Sequence, residues 1–195
     1  WCGEISMPKN IAAFGEDFAH KTVIDALITR VANELRVPVR VDWRNARRGH
    51  GKVVSELEEY FRDLRSQGSS PDFVVVATDA NCKGLNERSK QIPVIKCPVP
   101  VVLAIPDPHI ERWLLLDGAA FKAALGRGCN APDLKCDRDR YKSLLVQAII
   151  ATGITPSLGG IEFSEDIISH MDLDRVGRAD TSMLNFLKDL RRRLG

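Results

Sequence analysis

Apolar residues along the chain come in two kinds of run, short solid ones and longer ones spaced at three and four. "NIAAF" (Asn10 to Phe14) is a short solid run closed by Gly15, Glu16 and Asp17, which predicts a buried strand and a turn. From Phe18 to Leu35, Ile24, Leu27, Ile28, Val31 and Leu35 recur at helical spacing and predict an amphipathic helix. "VPVRVDW" (Val37 to Trp43) alternates as a strand does, with Pro38 near its start, where a missing N–H is tolerated. Gly51 to Gly68 returns to the helical period, and Gly68 is placed to cap its C-terminus. "FVVVATDANCKG" (Phe73 to Gly84) carries Val74, Val75 and Val76 in succession, as expected of a central strand buried on both faces. "NERSKQI" predicts a short helix, "PVPVVLAIP" (Pro98 to Pro106) another buried strand, and Pro108 to Leu125 a helix with Pro108 in its first turn.

Strands and helices thus alternate through Leu125, which predicts an α/β fold with a mostly parallel central sheet flanked by helices. The style then changes. Gly126 to Arg140 is a polar loop, "YKSLLVQAIIATG" a helix, and "SEDIISHM" another, with Ser164 as its cap. "TSMLNFLKDLRRRL" (Thr181 to Leu194) predicts a last helix with Leu184, Leu187, Leu190 and Leu194 on one stripe. The expected organisation is residues 1–9 as a disordered or tag-derived start, 10–125 as the α/β core, and 126–195 as a helical extension packed on it.

Composition adds little to this frame. Of 195 residues, 44% are apolar and 28% charged, enough apolar material for a sizeable core in an ordinary globular protein. The net charge of +2 neither invites nor excludes nucleic acid, but "RNARRGHGK" (Arg44 to Lys52) and "LRRRL" (Leu190 to Leu194) are local basic clusters. The five cysteines (Cys2, Cys82, Cys97, Cys129, Cys136) form no CxxC pair and have no histidine at zinc-finger spacing. Reduced thiols and a cytoplasmic location are the expectation. No run approaches the roughly 18 apolar residues of a membrane span.

The candidate chemistry lies at the strand ends, where open parallel sheets bind ligands. Glu16 follows the first strand, Asp79 and Asn81 the third, and Asp107 and Glu111 the fourth. Magnesium takes hard oxygen ligands, and close carboxylates repel unless a cation neutralises them. If the chain stays extended, Asp79 and Asn81 face the same side and can share one ion. The other reading of these residues is a turn, with Asp79 capping it and Asn81 left-handed. "RRGHGK" places Arg47, Arg48, His50 and Lys52 before a helix, an arrangement able to meet a phosphate, although it is not a Walker A loop. His109 reads as a helix-start residue or a base, Trp113 to Leu116 as core, and Cys82 as an incidental thiol.

A strand followed by Gly-Glu and a helix ("AAFGED"), then an apolar strand ending in a near relative of D-x-D ("VVVATDANCKG"), resembles the Toprim domain of topoisomerases, primases and OLD-type bacterial nucleases. "IPDPHIERWLLLD" and the tail "IISHMDLDRVGRADTSMLNFLKDL" are similar to segments of Toprim-like proteins from bacterial defence operons. The resemblance implies a Toprim-like Rossmannoid fold and a Mg²⁺- (or Mn²⁺-) dependent phosphodiesterase, a nuclease acting on DNA or RNA. Glu16, Asp79 and Asn81 would hold the metal, and Glu16, Asp79 and Glu111 would be catalytic. Arg47, Arg48, His50 and Lys52 would contact substrate phosphates. It further implies nucleic acid as a partner and an anti-phage role beside an ATPase; a homo-oligomer is compatible with this setting. Asn81 stands where the family carries an acid. The alternative is therefore a catalytically degenerate subunit that binds an ATPase or nucleic acid without cleaving.

Overall fold

The computed structural model describes residues 7–45, 50–66, 70–137 and 139–195. Arg47, Arg48 and the Gly68 cap lie outside the described residues. Four parallel strands, β1 (Lys9–Gly15), β2 (Val39–Asn45), β3 (Phe73–Ala77) and β4 (Val101–Ala104), form one sheet in the order β2-β1-β3-β4. The chain steps from β1 outward to β2 and then crosses to β3 on the other side. Right-handed crossovers then require the two connecting helices to lie on opposite faces. They do: α1 (Phe18–Leu35) packs in the core with Ile11, Ala13, Phe73 and Val75, and α2 (His50–Ser66) packs with Ala12, Phe14, Val74 and Val76. Burial on both faces is why β3 has no polar residue in its five positions.

Several elements depart from expectation for identifiable reasons. The first strand starts at Lys9, whose backbone pairs in register with Val39. β2 starts at Val39 because Arg36, left-handed at φ 58°, closes α1 and leaves Val37 to donate its N–H to the Ala32 carbonyl. The helix expected over Pro108 to Leu125 is two, α4 (Ile110–Leu114) and α5 (Gly118–Leu125). Pro108 precedes the first of them, and Asp117 restarts the second by accepting from the N–H groups of Ala119 and Ala120. α3 (Leu85–Lys90) is the short helix expected before β4.

The C-terminal helices α6 (Arg140–Ile150), α7 (Ser164–His170), α8 (Leu173–Ala179) and α9 (Thr181–Leu194) extend the α1 face of the core. α8 was not expected; it is opened by Asp172, whose carboxylate accepts from the Arg175 N–H. Ser164 does not cap α7 but donates its hydroxyl to the Ile161 carbonyl. In α9 the buried stripe is Met183, Phe186, Leu187, Leu190 and Leu194, while Leu184 is 45% exposed. A buried polar joint fixes α9 to the core: Asp180 takes Arg112 and the Ser182 hydroxyl, and Ser182 accepts from Trp113 Nε1 at 2.9 Å. Among the described residues no helix is long and apolar enough to cross a membrane.

Candidate active site at the switch point

The sheet changes direction between β1 and β3, so the crevice beyond their carboxyl ends is where an α/β sheet of this order takes a ligand. β1 delivers Glu16 there, and β3 delivers Thr78 and Asp79. Thr78 is held in line by its N–H, which donates to the Ala104 carbonyl of β4. Its hydroxyl donates to Glu16, and His50, the first residue of α2, sits with Nδ1 3.0 Å from the same hydroxyl oxygen. One strand end thus links the starts of two loops and a helix.

Asp79 is the most heavily partnered group of the site. Its Oδ1 accepts from the Ile110 N–H at 2.9 Å and lies 3.1 Å from His20 Nε2; its Oδ2 lies 3.1 Å from His109 Nδ1. Ile110 is the first residue of α4, so Asp79 caps that helix from a distant strand. His20 is buried in the first turn of α1, and its other nitrogen, Nδ1, lies 2.8 Å from Asp17, the cap of that helix. An imidazole facing a carboxylate on each side uses both nitrogens as donors and carries a proton.

The protonation states follow from these contacts. Burial would push Asp79 up, but the charge of His20 and the hydrogen bonds of His109 and His20 bring it down to about 2. Burial would likewise lower His20; the Asp79 charge and the bonds to Asp17 and Asp79 raise it well above its ordinary value. His109 is raised chiefly by its bond to Asp79. Glu16 and Glu111 both move up, first through burial, and each also feels the Asp79 charge. Glu16 and Glu111 thus each lie within electrostatic reach of Asp79.

A ready magnesium shell is not what they form. Both Asp79 oxygens are engaged by nitrogen donors, and one Glu16 oxygen accepts from Thr78. Among the described residues no group of three or more His, Cys, Asp or Glu side chains is arranged to hold a metal ion. Asn81 does not join them as a ligand on the same side. The chain leaves extended geometry after β3, Asn81 takes φ 51°, and its side-chain amide leans back toward the Asp79 carbonyl at 3.4 Å. The turn reading of Asn81 is the one realised. As arranged, the donor set does not fit Mg²⁺, which needs free hard oxygens in near-octahedral array.

Other residues were not legible as site members. His20 lies on the apolar face of α1, and Arg88 lies in a helix that reads as polar surface. Arg88 is only 5% exposed and bears on both Glu16 and His50. Lys52 is turned to Glu56 at 3.4 Å, one turn along α2. The expectation of reduced thiols fails at one pair: Cys82, just beyond Asn81, is disulfide-bonded to Cys136. That bond, with the Tyr141 hydroxyl accepting from the Lys135 N–H and lying within hydrogen-bond distance of the Asp133 and Lys135 carbonyls, ties residues 126–137 to the mouth of the site. A groove of about 610 Å³ between α1 and α7 lies elsewhere and is lined by none of these residues. Comparison with protein-family models, curated proteins and solved structures finds no match for this chain.

Proposed function

We propose that the chain is a Toprim-like phosphodiesterase, a nuclease acting on DNA or RNA, with its active site at the β1/β3 switch point. The observation that carries this reading is that Glu16 and Glu111 both feel the charge of Asp79, which stands at the crevice where α/β sheets bind ligands. Partly buried carboxylates that feel one another's charge cost stability, and groups perturbed in this way cluster at functional sites.

In this reading Glu111, raised by burial and by its neighbour's charge, takes the proton of the attacking water. His109, whose hold on a proton is strengthened by its bond to Asp79, gives a proton to the departing oxygen. Asp79 orients His109 and fixes α4, while His20 balances its charge from behind. Glu16 and Thr78 define the opposite wall. No step is assigned to a divalent ion, because the donors as arranged do not fit one.

The saturation of Asp79 favours a second reading, a non-cleaving subunit that binds nucleic acid or an ATPase. One experiment separates the two. Plasmid DNA, single-stranded DNA and RNA are incubated with the purified chain under Mg²⁺, Mn²⁺ or a chelator, and with the variants Glu16→Ala and Asp79→Ala. The first reading expects cleavage that falls about 10²- to 10⁴-fold in either variant. Cleavage untouched by both substitutions refutes the site. No cleavage under any condition, together with tight binding, establishes the second reading.

A further inference from the structure

Among the described residues two arginines are buried, and they are matched differently. Arg112, 7% exposed, has the Asp180 carboxylate against it. Arg88, 5% exposed, has no carboxylate within ion-pair distance among the described residues: its Nη1 donates to Gln91 Oε1 at 3.2 Å, and its Nε, like that of Arg112, has no partner there. A guanidinium keeps its charge under all ordinary conditions, so its burial is costly when the carboxylate that feels it, Glu16, makes no ion pair with it.

The position of Arg88 indicates what the counter-charge is. Gln91 also hydrogen-bonds the His50 ring, which is bonded to Thr78 and through it to Glu16. Arg88 therefore stands behind the switch point on the α2 side. Lys83, in the short turn after Asn81, adds a second positive charge there: His50 is held down at about 4, by burial first and then by Arg88 and Lys83. The first turn of α2, a helix of 17 residues, brings N–H groups with no intrahelical acceptor to the same place.

We propose that Arg88, Lys83 and the first turn of α2 form an anion subsite that seats a backbone phosphate of a nucleic-acid strand next to Glu16. The inference rests on the phosphodiesterase reading for its ligand, and on the unmatched buried guanidinium for its place. Arg88 supplies a forked donor fixed by Gln91, which suits two oxygens of one phosphate. Lys83 supplies a mobile charge at the rim. The phosphate so held lies beside the three carboxylates and not on them, which is where like charges permit it.

The test reads binding, not turnover. Three probes are titrated by calorimetry, with the His50 ring followed by NMR: inorganic phosphate, a phosphodiester dinucleotide, and the same dinucleotide with an uncharged methylphosphonate linkage. The wild type is expected to bind the first two, move the His50 signal, and ignore the third. R88Q should weaken both by about ten- to hundredfold, with R88K recovering part of the loss. K83Q, exposed and safe for folding, should weaken both by a smaller factor. Unchanged phosphodiester binding in folded R88Q overturns the proposal. If R88Q does not fold, unchanged binding in K83Q does so. Binding of inorganic phosphate without the dinucleotide overturns the strand-backbone ligand. Binding without any cleavage leaves the subsite standing and removes the phosphodiesterase reading, so the two failures are told apart.

Discussion

Replacing Asp79 by Asn keeps the shape of the side chain and its ability to accept from the Ile110 N–H, but removes the charge that His20 and His109 face. The difference between the ordinary carboxyl value of 3.8 and the value of about 2 in the fold corresponds to roughly 2 kcal/mol of stabilisation by the ionised form. A carboxyl depressed in this way stabilises the fold at all pH values above about 4 and loses that contribution as the pH falls toward 2. The substitution also leaves His20, 1% exposed, as a buried cation with Asp17 alone. Removing one partner of a buried pair costs more than the pair's net worth. The expected loss at pH 7 is therefore about 2 to 4 kcal/mol, or about 5–15 °C in Tm for a chain of this length. The assay is urea unfolding of wild type and D79N from pH 2 to pH 8. The stability gap should be full at neutral pH, narrow below about pH 4 and be nearly gone at pH 2. A variant within about 0.5 kcal/mol of wild type, with the same acid limb, would refute the picture of Asp79 as the site's electrostatic hub.

Three further outcomes follow from the packing. Asp180→Ala strands the buried Arg112 guanidinium and removes the cap of α9, so it should cost about 3–5 kcal/mol in chemical unfolding; Arg112→Met combined with Asp180→Asn should recover most of it. Cys82→Ser opens a link between residues 54 apart in sequence and should lower stability by up to about 4 kcal/mol. Limited proteolysis should then cut between residues 126 and 137 first, whereas Cys97→Ser leaves the digestion pattern unchanged. A Cβ at Gly118 would collide with the backbone carbonyl of Cys129, so Gly118→Ala should lower Tm by several degrees and blunt the α5 signals in hydrogen exchange.

The fold was legible because its strands and helices carry their own periodicities. α1 and α9 begin and end where the apolar spacing puts them, and the valines of β3 announced a strand covered on both faces. What escaped the sequence was held by distant partners. The break between α4 and α5 depends on Asp117, which also accepts from the Asp172 N–H 55 positions away. The joint of Arg112, Asp180 and Ser182 and the link of Cys82 to Cys136 span 68 and 54 positions, with no local spacing to betray them. In the site, Glu16, Asp79 and Glu111 could be found because each follows a strand. His20 could not, since a lone histidine three residues after a helix cap looks like part of the cap. Arg88 was hidden in a charged hexapeptide that reads as surface. At Asn81 the sequence left both a ligand and a left-handed turn open; the turn is realised because the chain leaves extended geometry immediately after the strand.

The most direct test of the switch-point site is the cleavage rate of Glu111→Gln on a fluorogenic oligonucleotide, with circular dichroism and Tm confirming the wild-type fold. Glu111 caps nothing across the chain, so the fold should persist while the rate falls by at least about a hundredfold. A folded Glu111→Gln enzyme that cleaves at the wild-type rate would contradict the proposed chemistry.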